Sequence, residues 1–184
     1  LDVLADDMVH VSQSAGIFGA KILSTHSNPP LFYYLTDLAF KIFSYTTLAS
    51  RFWPLVFGTL LITLSYLITY KLFKNKNVSL LTAFFVTFSS FLIRNTFGEA
   101  SLIVLFFSFA GVYFGLIYLE EKTYISIILS GIFFGLGILT KYNAPFFLLG
   151  FLVYSIVFFK LKKETIFTKK NINSLIILLL IVFL

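Results

Sequence analysis

Apolar residues run along this chain in long blocks, separated by short polar breaks that carry most of the lysines. The first clear block covers residues 46–73. It begins around Arg51, Trp53 and Pro54 and closes on Lys71 and Lys74. Lys74-Asn75-Lys76-Asn77 predicts a tight turn. Further blocks follow over 78–94, 99–119, 124–140 and 144–160, and a sixth starts at Ser174 and continues to the last residue. A helix crosses the hydrocarbon layer in about 17–25 residues, so these blocks predict transmembrane helices. Residues 31–44 are also apolar, with Asp37 and Lys41 one helical turn apart and expected to pair. That segment is short for a crossing and predicts an interfacial or re-entrant helix, with Tyr33 and Tyr34 at headgroup depth. Residues 1–28 have no such unbroken block. One or two short amphipathic helices over residues 2–22, interrupted near Gly16 and Gly19, would lie in the interface. A loop over 24–30 follows, in which Asn28 is held extended by the proline after it.

Composition turns this pattern into a class. The chain is 59% hydrophobic and only 12% charged, with a mean hydropathy of +0.96. Soluble domains carry about 25% charged residues. The apolar residues are too many for the core of a 184-residue domain and must face lipid. The expected fold is all-α, a polytopic bundle of transmembrane helices. The net charge of +6 does not indicate a nucleic-acid partner, because the basic residues sit in turns between greasy segments. The absence of cysteine excludes disulfide and thiolate chemistry in these residues. The chain starts at Leu1 without an initiator Met and stops inside an apolar run, so a longer protein is expected, with another transmembrane helix ahead of Leu1.

Alternating the predicted helices across a membrane sorts the charges. Lys71, Lys74, Lys76, Lys122, Lys160, Lys162, Lys163, Lys169 and Lys170 fall on one side, and Lys21, Lys41, Arg51, Arg94 and Lys141 on the other. The positive-inside bias makes the first side cytoplasmic. The expected protein is therefore a multi-pass plasma-membrane protein whose residues 1–45 form an extracytoplasmic loop and whose residues 46–184 form the membrane part. Asp2, Asp6, Asp7, Asp37 and Glu99, five of the eight acids, share the extracytoplasmic side. Asn77-Val78-Ser79 matches the N-glycosylation pattern but falls in a cytoplasmic turn, which removes it from consideration.

Several of these residues invite a chemical role, each against a plainer one. Asp6 and Asp7 are either catalytic acids or first-turn charges on an interfacial helix. Glu99 either belongs to a site or complements the dipole of the helix it opens, although a carboxylate one turn from Arg94 at a membrane boundary favours a site. Arg94 and Lys141 stand at outer helix ends, where cations serve a phosphate or snorkel to headgroups. Arg51 reads as an interface anchor. Asp6 and His10 share a helical face and His26 is near in sequence. Such ligands suit zinc or manganese, yet they form no closed set, so no metal ligand is assigned.

The order of features resembles the GT-C superfamily of membrane glycosyltransferases, in particular the protein O-mannosyltransferases and bacterial lipid A aminoarabinose transferases. Asp6-Asp7 looks like the family's acidic pair in the first extracytoplasmic loop. Pro29-Pro30-Leu31-Phe32-Tyr33-Tyr34 looks like the Pro-Pro-Leu-aromatic step that follows. Arg94-Asn95-Thr96-Phe97-Gly98-Glu99-Ala100 looks like the second acid opening a helix after a short outer loop. Gly135-Leu136-Gly137-Ile138-Leu139-Thr140-Lys141-Tyr142 is similar to a Gly-Leu-x-x-Leu-Thr-Lys-Gly stretch, with Tyr142 where Gly is usual. Asp7 stands where Glu is common, and Ser27-Asn28 replaces a Glu-Lys found before the prolines in some members.

The resemblance implies transfer of a sugar from a polyprenyl phosphate to a protein, lipid or glycan acceptor outside the cytosol, within the bilayer. It implies catalytic roles for Asp6, Asp7 and Glu99, with Asp6 the favoured base. His26, Asn28, Arg94 and Lys141 become candidates for binding the donor. Some members hold a divalent cation on first-loop acids and others do not, which leaves the cofactor open here. The alternatives are a transporter or lipid flippase, which calls for charges at mid-span that these blocks lack, and a non-catalytic scaffold subunit.

Overall fold

The computed structural model describes residues 28–44, 46–96, 98–162 and 168–183. Among them the fold is all-α, in eight helices and no strand. These are α1 (Pro30–Phe43), α2 (Thr47–Phe73), α3 (Lys76–Thr87), α4 (Ser90–Asn95), α5 (Ser101–Glu121), α6 (Tyr124–Ile138), α7 (Pro145–Leu161) and α8 (Lys169–Phe183). Helices α2 and α5 are long and apolar enough to cross a membrane, and α6, α7 and α8 are shorter apolar helices. The amphipathic helices expected over residues 2–22 lie outside the described residues.

Local chemistry sets the helix ends. Proline at the first position of α1 has a preset φ and needs no N–H partner there. In α2 the Thr46 side chain accepts from Ala49 N at 3.2 Å. Its C-terminal residue Lys74 is left-handed, with φ 53°, and Asn75 at once caps α3 by accepting from Asn77 N at 2.9 Å. Two residues thus reverse the chain.

The apolar block over 78–94 differs from the single crossing read from it. It is divided at Phe88–Ser89 into α3 and α4. Hydroxyl side chains explain the break. Thr87 Oγ1 and Ser89 Oγ donate to the Ala83 and Val86 carbonyls, and Ser89 then accepts from Leu92 N as a new cap.

Helix α5 is the centre of the bundle. Its buried residues, among them Leu102, Ile103, Val104, Phe107, Ala110, Leu116 and Leu119, lie all round its axis. It packs on α2, α6 and α7, while α3 leans on α2 with much of its surface exposed. The core has two parts. Phe32 and Tyr33 of α1 join Ala100, Ile103 and Phe107 of α5 at one end. Leu116, Leu119, Ile127, Phe134, Phe151 and Leu178 form the larger cluster toward the other. Tyr33 is therefore sealed between helices, while its neighbour Tyr34 is exposed.

The most extensive seam joins α5 to α6. The Phe134 ring rests on Gly111, where a Cβ would lie 2.9 Å from ring carbons. Beside it, buried Ser130 donates its hydroxyl to the Gly111 carbonyl at 2.8 Å. In lipid, small residues that let helices approach and hydrogen bonds between them replace the hydrophobic effect as the associating force. Gly111→Ala must displace the ring and is expected to cost about 1–3 kcal/mol. Ser130→Ala leaves the packing intact and is expected to cost about 0.6 kcal/mol. Unfolding in detergent gives the ranking; equal losses would overturn this account of the seam.

Candidate functional site

The two ends of the bundle differ in chemistry. One gathers the turns after α2, α5 and α7. There Lys71 pairs with Glu120 at 2.7 Å and Glu121 at 3.7 Å, and Lys74 with Glu120 at 3.8 Å. The Lys122 ammonium lies 4.1 Å from the centre of the Phe159 ring, and Lys162 lies 4.8 Å from that of Phe158. These lysines gather where alternation of the helices put them.

The opposite end collects the start of α1, the α4–α5 turn and the α6–α7 turn. Leu31 N donates to the Leu139 carbonyl at 3.0 Å, which ties the Pro-Pro step to the close of α6. Two residues on, Lys141 Nζ donates to Ser101 Oγ at 2.9 Å. The same hydroxyl donates to Glu99 Oε2 at 3.0 Å. A carboxylate and an ammonium carried by different turns are thus joined through one serine, and all three groups are partly or wholly buried. Gly98, at φ 92°, makes the turn that delivers Glu99, a conformation that strains other residues. Ala100 caps α5 without a side-chain bond, so Glu99 spends its carboxylate on Ser101 rather than on the helix terminus.

Of the residues singled out in the sequence, Glu99 and Lys141 come together, and Asn28 lies three residues before the Leu31–Leu139 bond. Arg94 lies in the last turn of α4, is exposed, and forms no ion pair among the described residues. Asp6, Asp7 and His26 lie outside the described residues, as does His10. The Asp37–Lys41 pair forms within α1 at 3.2 Å. Ser101 escaped the sequence reading, and Gly98 entered it only as part of the outer loop; a hydroxyl two places after an outer acid, and a glycine just before it, were the available signals. Among the described residues no group of three or more His, Asp or Glu is placed to hold a metal.

Residues 27–184 match the family of dolichyl-phosphate-mannose-protein mannosyltransferases. The chain belongs to that family. Its helices are those of a membrane-integral, GT-C-type mannosyltransferase family member. The chain is also similar to a protein of Aquifex aeolicus (strain VF5) described as uncharacterized, at 27% identity over 155 residues. That alignment takes in 84% of this chain and 31% of the relative, so the chain spans about a third of the relative's length. No solved structure matches.

The two-ended arrangement has a direct test, since these residues contain no cysteine. Tyr142→Cys, at a residue 69% exposed beside Lys141, and Lys76→Cys at the far end should react with a membrane-impermeant maleimide from opposite sides. Labelling of both from one side would overturn the arrangement.

Proposed function

We propose that the whole protein is a glycosyltransferase that moves a sugar from a polyprenyl phosphate to a protein, lipid or glycan acceptor on the extracytoplasmic side of the plasma membrane. The observation that carries this reading is the Glu99–Ser101–Lys141 linkage, beside the Pro-Pro step and opposite the lysine-rich turns, in a chain of the mannosyltransferase family. A lipid-borne donor has its phosphate at the membrane surface, and that is the depth at which helix ends present their polar groups.

The chemistry assigns the roles. The acceptor's hydroxyl oxygen attacks the anomeric carbon and gives up its proton to a carboxylate base. The bond from that carbon to the phosphate oxygen breaks, and polyprenyl phosphate leaves with the electron pair. Asp6 or Asp7 is the base, with Asp6 preferred, because the resemblance sets the acidic pair of the first loop in that role. Lys141 offsets the charge of the leaving phosphate, a task for which a cation at a dry membrane boundary is well suited. Arg94 serves as a second cation when donor is bound. His26 and Asn28 contact the donor headgroup, and Glu99 anchors the cationic side of the site. Where a divalent cation takes part, Asp6 and Asp7 hold it.

The full-length protein with Asp6→Asn, Asp7→Asn or Glu99→Gln provides the test. Losing the base is expected to slow transfer by about a hundredfold or more. Radiolabelled sugar passed from a lipid-phosphate donor to extracted acceptors gives the rate. Wild-type transfer by all three variants would remove the proposal.

A further inference from the structure

The structure assigns Ser101 as a positioning residue: its hydroxyl holds the Lys141 ammonium apart from Glu99 and ready for a phosphate monoester. This inference deepens the reading given under Proposed function and rests on it. A serine hydroxyl has one proton and two lone pairs. Here the proton goes to Glu99 Oε2 at 3.0 Å, which turns a lone pair toward Lys141 Nζ at 2.9 Å. The carboxylate thereby dictates which way the hydroxyl faces. Lysine, a point charge on a flexible four-carbon stem, gives up much rotamer freedom when it is held. Ser101 is 9% exposed and occupies the first position of α5, so it is a fixed post. Lys141 itself follows the last turn of α6, where its backbone N–H donates to the Gly137 carbonyl at 3.1 Å. Both ends of the lysine are therefore held.

The intervening serine also changes what the ammonium can do. A direct contact with Glu99 would satisfy the charge and consume its donors. With Ser101 between them, Lys141 spends one N–H on a neutral oxygen and keeps two for phosphate oxygens. Glu99 stays on the far side of the serine and does not compete for the anion's place.

A binding experiment and a transfer experiment on the full-length protein separate this inference from the reading beneath it. The binding probe is a short-chain polyprenyl monophosphate, titrated into protein in nanodiscs. Ser101→Val and Ser101→Thr have the same side-chain volume and differ in the hydroxyl, so any shared folding defect cancels between them. Ser101→Val is expected to bind the probe about tenfold more weakly than Ser101→Thr, the loss appropriate to a hydrogen bond with a charged group. Adding Lys141→Ala should abolish the difference between Val and Thr, because the serine acts through the lysine. In transfer, the Val variant should lower kcat and kcat/KM relative to Thr, the pattern of a lost interaction with the charge that develops on the leaving phosphate. Equal binding by Val and Thr, or a Val–Thr difference that persists in the Lys141→Ala background, overturns the positioning role, as does a wild-type protein that does not bind the probe. Probe binding with the expected Val–Thr pattern but no transfer from any lipid-phosphate sugar sustains the inference and defeats the glycosyltransferase reading instead.

Discussion

The register between α5 and α6 is the constraint from which the rest of the outer end follows. Ser130 bonds to Gly111 and Phe134 covers the same glycine, so the two antiparallel helices are pinned at one level. Ser101 lies ten residues before Gly111, and Lys141 eleven after Ser130. Nearly equal arms on opposite helices bring those two side chains to the same height. A slip of one residue would move them about 1.5 Å relative to each other along the axis, enough to break a 2.9 Å hydrogen bond. Gly137 continues the seam, with room for a Cβ limited by Ser108 Oγ at 3.3 Å. Packing deep in the bundle and polar geometry at its rim are thus one problem.

The same economy of small residues operates elsewhere. Phe151 of α7 presses on Gly115, and Ile181 of α8 comes within 3.0 Å of the place a Cβ would take on Gly131. At Gly111 and Gly115 an aromatic ring fills the hollow that the glycine leaves. At the lysine-rich end, ion pairs and cation–ring contacts replace close packing. Lys71 reaches across from α2 to Glu120 and Glu121 on α5, and so fastens the two long helices where they reach the surface.

How much of this was legible in the sequence depends on the range of the interaction. The all-helical class followed from apolar blocks and low charge, because burial in lipid is a property of composition. The Asp37–Lys41 pair was legible because one helical turn brings the two together. The break at Phe88–Ser89 was not, since hydropathy averages over hydroxyl groups that act individually on the backbone. Ser101 was missed for a different reason. Its role exists only when Lys141, forty residues away, arrives beside it, and no local pattern announces that. Glu99 and Lys141 were chosen as charges at helix ends, and their meeting depends on the helix register.

The peripheral place of α3 bears on the order in which the protein is made. Helix α5 is synthesised after α3 and α4, yet it also packs along α2 and closes the Lys71–Glu120 clasp. The α2–α3 hairpin therefore leaves one flank of α2 to be covered by a later helix. Lys71 thus waits for its counter-charge through nearly fifty residues of chain growth.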